Sequence, residues 1–178
     1  MKRLILTCSL WFLCGLPASL HSEPERKAKA ALHHPTIVAV RRVYQSVEQD
    51  IARGRLKKEQ RVVEDCSPWG DRRTIFVGVA GRIRKYVIEG GSDDSALVTR
   101  HYYDPMNRLR FVFITGGAVN GSRLEHRIYF DESGARMRED HAYPTGPGYT
   151  FPGIWPEGEV SRDPRLSYEQ QCPTASSR

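Results

Sequence analysis

Arginine and tyrosine side chains recur along the stretch Thr99–Asp140 at positions that could bind a ligand. A guanidinium group can hold a carboxylate or phosphate through two hydrogen bonds, and a neighbouring aromatic ring can stack on the ligand. Because alternate side chains of a strand point to the same face, these residues are predicted to share one exposed face. An ordinary solvated sheet face is the alternative. The predicted binding residues are Arg100, Tyr102, Arg108, Arg110, Arg127 and Tyr129.

Two histidines, His101 and His126, are predicted on the opposite, core face of the same strands. A facing pair could bind a metal or sense pH, but a single histidine on an apolar face more often makes a structural hydrogen bond. No G-x-S-x-G, H-E-x-x-H or phosphate-binding glycine motif occurs, so no catalytic residue, metal or cofactor is predicted. The sequence therefore favours a protein without enzymatic activity but does not exclude an enzyme.

Asp104 and Asp131 lie 27 residues apart, each after two aromatic residues and three positions before Asn107 or Gly134. This spacing could indicate paired catalytic carboxylates, but aspartate also begins type I turns, and asparagine or glycine tolerates the left-handed position that follows. A type I turn with such a residue makes a three-residue hairpin loop with a bulge. Both aspartates are therefore predicted to form turns.

The hairpins predict an antiparallel meander of about five to seven strands. In the first hairpin, Tyr103 is predicted opposite Leu109 and His101 opposite Phe111. The strands are predicted at Gln60–Cys66, Thr74–Val79, Arg82–Glu89, Ala96–Tyr103, Arg108–Thr115, Arg123–Phe130 and Ala135–Glu139. The predicted core face collects Leu97, Tyr103, Leu109, Phe111, Phe113, Leu124, Ile128 and Phe130.

An amphipathic helix is predicted over Pro35–Arg53, with Thr36 as N-cap and Gly54 as the stop. Its apolar residues recur at helical spacing and form one stripe, which we expect to cover the core face of the meander. The fold class is thus α+β, an N-terminal helix packed on a twisted antiparallel meander. The stripe consists of Ile37, Val40, Tyr44, Val47 and Ile51.

Segments on either side of this unit have different compositions. Residues 1–22 have the positive, apolar and small-residue regions of a signal peptide, with an apolar stretch too short to be a transmembrane segment. Residues 23–34 are predicted as a flexible lead-in, residues 35–140 as the helix and meander, and residues 141–178 as an irregular wrap rich in Pro, Gly and aromatics. Cys66 and Cys172 remain after signal removal and are predicted to form a disulfide.

Removing residues 1–22 takes two of the 27 basic residues and none of the 21 acidic residues, which leaves a net charge of +4. The charge is spread along the chain without a basic block, so no nucleic-acid partner is predicted. For a periplasmic or secreted protein, the expected partner is an acidic protein surface or an anionic envelope glycan or lipid.

The stretch from Tyr103 to Leu109 resembles the Y-D-x-x-G-R-L turn unit of YD-repeat proteins, with asparagine in place of the glycine. More widely, the signal, helix and meander resemble uncharacterised bacterial exported proteins, through the stretches Arg108–Phe113 and His126–Asp131. This resemblance implies the fold and export, not an activity.

These observations favour a non-catalytic exported binding protein of the bacterial envelope, of an inhibitor or immunity type or an envelope-associated binder. One alternative is a small envelope enzyme or ligand-holding roll, with His101 and His126 lining a cavity between helix and sheet. Another is a structural envelope component, favoured if the C-terminal wrap buries the arginine face.

Overall fold

The computed structural model describes residues 34–64, 70–145 and 151–171. Within them the chain forms a long helix, seven strands and a short second helix, and the strands pair in chain order as one antiparallel meander. The α+β prediction is confirmed at this level. The predicted signal peptide, Cys66 and Cys172 lie outside the described residues. The elements are α1 (Pro35–Ala52), β1 (Lys57–Val63), β2 (Asp71–Val77), β3 (Ile83–Gly91), β4 (Ser95–Tyr103), β5 (Leu109–Ala118), β6 (Arg123–Phe130), β7 (Arg136–Thr145) and α2 (Pro164–Glu169).

Helix α1 begins one residue earlier than its predicted cap. His34 is the N-cap, and its Nδ1 accepts a hydrogen bond of 3.3 Å from the backbone N–H of Thr36. The prediction of Thr36 as N-cap was therefore wrong, and Pro35 instead takes the first helical position, where a missing N–H does no harm. Gly54 follows the helix with a φ of 67°, as expected for the residue that ends it. No helix in the described ranges is long and apolar enough to cross a membrane.

Different segments cover the two faces of the sheet. On one face, the buried helix residues Ile37, Val40 and Val47 form a cluster with aromatic residues of the central strands, Tyr102, Phe111 and Tyr129. On the other face, the C-terminal segment contributes Phe151, Trp155 and Val160 to a larger cluster with Tyr103, Leu109, Ile128 and Phe130. The central strands are thus buried on both sides.

The pairing of β4 with β5 corrects the predicted assignment of faces. Tyr103 pairs with Leu109 as predicted, but the next pair is Tyr102 with Phe111, which leaves Arg110 as an extra residue in β5. Such a bulge shifts the following side chains by one position and so moves them to the other face. The predicted pairing of His101 with Phe111 was therefore wrong. Phe111 and Phe113 lie on the α1 side, whereas Tyr103 and Leu109 lie under the C-terminal segment.

The bulge is held by contacts between distant residues. The Arg110 side chain is 3% exposed; its Nε donates to the carbonyl of Phe130 at 3.3 Å, and its Nη1 lies 3.4 Å from Asp104 Oδ2. In the turn itself, Asp104 Oδ1 accepts from the backbone N–H groups of Met106 and Arg108.

The second hairpin repeats the turn chemistry. Asp131 Oδ1 accepts from the backbone N–H groups of Ser133 and Ala135 at 2.8 and 2.9 Å. The prediction that both aspartates form turns is confirmed. In each turn the residue three positions later, Asn107 or Gly134, has a positive φ.

The C-terminal region is more regular than expected. Strand β7 continues through Tyr143 and Pro144 to Thr145, where regular structure had not been predicted. Proline is tolerated there because β7 is an edge strand and needs no N–H on its outer side. The short helix α2 was also missed, although Asp163 caps it by accepting from two backbone N–H groups and Pro164 follows at its first position.

Candidate functional site

A row of three side chains crosses the middle of the sheet on the α1 side. Arg100 in β4, Phe113 in β5 and Arg127 in β6 occupy directly paired positions. The two guanidinium carbons lie 5.7 and 4.9 Å from the centroid of the Phe113 ring. The ring also stacks on Phe111, with centroids 6.3 Å apart and planes 12° from parallel. The aromatic ring therefore orients two cations at the surface of the sheet.

Helix α1 forms the opposite wall of a small cleft at this row. Val40, Arg41 and Tyr44 face the sheet residues across a volume of about 290 Å³. Pockets for small molecules usually measure roughly 300–1,000 Å³, so this cleft lies at the lower limit of that range and suits a small group rather than a whole cofactor. The sheet wall consists of Phe111, Phe113, Arg127 and Tyr129.

The arginines at the cleft differ in their partners. Arg127 lies 2.5 Å from Glu125, and both side chains are more than one-third exposed, so another carboxylate can displace this pair at small free-energy cost. Arg100 donates to Thr115 Oγ1 at 2.8 Å. Within the described ranges, neither Arg100 nor the exposed Arg41 forms an ion pair with a carboxylate. Arg41 in the cleft and Arg100 beside it therefore offer guanidinium groups that no carboxylate of the described residues neutralises.

Tyr129 adds a hydroxyl group at the same place. Burial raises the pKa of Tyr129 above its ordinary value, and the protonated phenol can donate a hydrogen bond. Tyr44 is 37% exposed and makes edge contacts with Tyr102 and Phe111, at centroid distances of 5.1 and 6.0 Å. The cleft thus combines cations, a donor hydroxyl and aromatic walls.

The six predicted binding residues do not form a single site in the structure. Arg127 and Tyr129 line the cleft, although the Tyr129 ring is mostly buried, and Arg100 lies beside the cleft against the Phe113 ring. Tyr102 is 1% exposed, and its hydroxyl donates to Glu48 Oε1 of α1 at 2.8 Å. The prediction that Tyr102 and Tyr129 would be exposed was wrong, because α1 packs over them.

The other two arginines serve the first hairpin. Arg110 is buried in the bulge, contrary to the prediction of an exposed side chain. Arg108 binds the Asp104 carboxylate through Nε at 2.8 Å and donates to the carbonyl of Glu132. Both guanidinium groups are therefore occupied by contacts that hold the hairpins.

Five residues that line the cleft were not among the predicted site residues: Val40, Arg41, Tyr44, Phe111 and Phe113. Phe113 was assigned to the core face through the incorrect register, and Arg41 to the solvent side of the helix. Tyr44 was counted only as part of the apolar helix stripe. Only the position of Arg41, one residue after the stripe residue Val40, could have placed a charged residue beside the sheet.

The two histidines do not lie at the cleft. His101 is fully buried beneath the C-terminal segment, where its Nε2 accepts from the backbone N–H of Ser161 at 3.1 Å, and burial lowers its pKa to about 4. His126 is also fully buried, with its Nε2 2.5 Å from Glu139 Oε1. In the part of the chain that the structure describes, no group of three or more His, Cys, Asp or Glu residues could hold a metal ion.

No protein family, curated protein or solved structure matches the chain. The resemblance to exported bacterial proteins and to YD-repeat turns therefore stays a prediction.

Proposed function

We propose that this chain is a non-catalytic exported binding protein that holds a carboxylate of an acidic partner protein in the cleft beside α1. The observation that carries the proposal is the row of Arg100, Phe113 and Arg127 with the unneutralised Arg41 across from it. Guanidinium groups bind carboxylates through two parallel hydrogen bonds, and an aromatic ring beneath them restricts their motion.

The surroundings favour a carboxylate on a protein over a free small molecule. Arg127 already holds the carboxylate of Glu125, so its geometry suits this group. The cleft measures about 290 Å³, at the lower end of the range for small-molecule sites, so it has room for an Asp or Glu side chain together with part of the surface that presents it. A periplasmic or extracellular location forms part of the proposal and rests on residues 1–22.

Neither alternative function has comparable support. A small enzyme would need accessible catalytic groups, but His101 and His126 are buried and bound through Nε2. A structural component was favoured if the C-terminal wrap covered the arginines. The C-terminal segment instead packs on the opposite face of the sheet.

Charge reversal on α1 tests the proposal with a matched control. Arg41 lines the cleft, whereas its neighbour Arg42 is also exposed but does not line it. The probe is a fluorescein-labelled peptide of alternating Asp, Glu and Gly, followed by fluorescence anisotropy. We expect Arg41→Glu to weaken binding about tenfold, as the loss of a charge-assisted contact implies, and Arg42→Glu to weaken it about twofold.

If Arg41→Glu and Arg42→Glu weaken peptide binding equally, the peptide responds only to the overall charge of the protein. The cleft would then not be the binding site. Arg127→Lys provides a second measurement, because lysine keeps the charge but loses the bidentate geometry. A pulldown from envelope extract with wild type and Arg41→Glu should then recover an acidic protein with the wild type alone. Arg110 is unsuitable for such a test since it is buried in the bulge.

A further inference from the structure

The sheet carries a larger cavity on the face away from α1. It measures about 760 Å³ and opens between β2, β3 and β4 on one side and the C-terminal segment on the other. This volume lies within the range of roughly 300–1,000 Å³ that is typical of small-molecule sites. None of the six predicted binding residues lines this cavity.

Glycines allow neighbouring side chains to lie flat at this end of the sheet. A Cβ atom added to Gly90 would lie 2.5 Å from Asp71 Oδ1, and one added to Gly116 would lie 2.3 Å from Leu97 Cδ2. The Asp71 carboxylate and the Leu97 side chain therefore cross the backbone where a larger residue would project. Gly90 and Leu97 both line the cavity, which stays open above them.

The cavity has an apolar floor and wall. Ile88 and Leu97 are half-buried on the floor, and the buried Val160 closes one side. Leu166 lies at the rim and is 63% exposed, an unusual position for a leucine of a packed helix. These aliphatic groups can contact the C–H face of a ligand.

Charged side chains of both signs line the same cavity, and its arginines are already occupied. Arg73 donates to the carbonyls of Ser167 and Gln170, and Arg162 donates to Glu157 and to the carbonyl of Gly134. The charged lining residues are Asp71, Arg73, Glu159, Arg162 and Asp163. Because neither sign dominates, a ligand with a large net charge gains little there.

Other polar groups at the cavity have hydrogen-bonding capacity to spare. Across the described segments, the Thr99 hydroxyl, the Glu159 carboxylate and the Gln170 side-chain amide make no hydrogen bond or ion pair. Together they offer both donors and acceptors. A ligand with several hydroxyl groups and one apolar face satisfies them while it covers Ile88 and Leu97.

We infer that this cavity is a binding site for a short uncharged glycan of two or three sugar units. Sugar hydroxyls both donate and accept, which suits Thr99, Glu159 and Gln170, and the sugar C–H face packs on the aliphatic floor. The site is separate from the carboxylate cleft, which lies on the other side of the sheet.

Nuclear magnetic resonance of the ¹⁵N-labelled full chain tests the inference with maltose, cellobiose and N,N′-diacetylchitobiose as probes. Saturable shifts are expected with at least one of them, confined to cavity amides such as those of Thr99, Ser161 and Gln170. Thr99→Val and Glu159→Ala should each weaken that binding about fivefold, as the loss of one hydrogen bond implies. Glu132→Ala, an exposed control away from the cavity, should leave it unchanged.

Wild-type mapping keeps the test valid even if a variant folds poorly. The inference is overturned if none of the three disaccharides shifts the cavity amides, if the shifts map to the cleft beside α1, or if Thr99→Val and Glu159→Ala bind as tightly as Glu132→Ala. Stronger binding of glucuronic acid or glucosamine than of every neutral probe would also overturn it, because the site would then select charge.

Discussion

The hydrogen bond that His101 makes with the C-terminal segment requires a neutral imidazole. Its Nε2 accepts from the backbone N–H of Ser161, and protonation would turn this acceptor into a donor that faces another donor. The charge would also enter a fully buried site, which is why burial lowers the pKa of His101 from 6.5 to about 4. One histidine thereby links the attachment of the C-terminal segment to pH.

The stability of the protein depends on pH through His101. Between pH 6.5 and about 4 the unfolded chain protonates this histidine and the folded protein does not, so the free energy of unfolding falls as pH falls. Above pH 6.5 the protonation of His101 does not reduce the free energy of unfolding, and near pH 4 the reduction reaches about 3 kcal/mol. Urea unfolding across this range should show the decline in wild type and a smaller decline in His101→Gln.

The exposed His141 provides the control for that measurement. His141→Gln should keep most of the wild-type pH dependence. If His101→Gln and His141→Gln decline equally with falling pH, the role assigned to His101 is wrong.

Individual residues could be predicted where the chemistry is local. Asp104 and Asp131 bind backbone N–H groups two to four positions away, so the surrounding sequence already contains the signal. Arg110 instead binds the carbonyl of Phe130, 20 positions away, and no local sequence motif predicts such a contact.

At the scale of elements, the two hairpin turns offer a direct comparison. Gly134 has a φ of 86° and Asn107 a φ of 63°. Alanine in the left-handed region costs about 1 kcal/mol, so Gly134→Ala should destabilise by about that amount in thermal or urea unfolding. Asn107→Ala should cost less, because asparagine already bears part of this strain. Gly153→Ala, at a position without positive φ or nearby atoms, should be neutral.

A loss for Gly153→Ala equal to that for Gly134→Ala would contradict this account. The two turn variants also separate backbone strain from side-chain contacts, since a Cβ on Gly134 would approach only Arg162 Nη1, at an ordinary 3.5 Å.

The elements were predictable because turn residues and apolar spacing mark them. All seven strands overlap their predicted ranges, and α1 ends one residue before its predicted end. The faces of β5 beyond Arg110 were not predictable, because one bulge residue exchanges them. The cleft was only partly predicted for the same reason, since Phe113 had been placed in the core.

At the scale of the whole molecule, one carboxylate joins the sheet to the C-terminal segment. Glu139 Oε1 accepts from the backbone N–H of Trp155 at 2.6 Å and lies 2.5 Å from His126 Nε2, while Oε2 binds Arg136 at 2.7 Å. Burial alone would raise the pKa of Glu139, but these hydrogen bonds hold it below its ordinary value. The carboxylate is therefore charged when it makes these contacts.

Glu139→Gln should destabilise the protein by about 2 kcal/mol, because an amide cannot accept from all three groups and leaves a buried partner unsatisfied. Amide hydrogen exchange should accelerate most in residues 151–161. The exposed Glu132→Gln serves as control and should change neither quantity. If hydrogen exchange accelerates evenly over β1 to β7, Glu139 does not specifically hold the C-terminal segment on the sheet.

The chain-order pairing of the strands also bears on how the molecule forms. Each strand pairs with the one beside it in sequence, so every ladder closes a short loop. The C-terminal contacts reach back much further, from Tyr103 to Ser161 across 58 positions and from Arg73 to Gln170 across 97. The entropic cost of closing a loop rises with its length, and distant contacts slow folding. The hairpins can therefore form first. The C-terminal segment then docks last, and the cavity that it encloses is completed only at that final step.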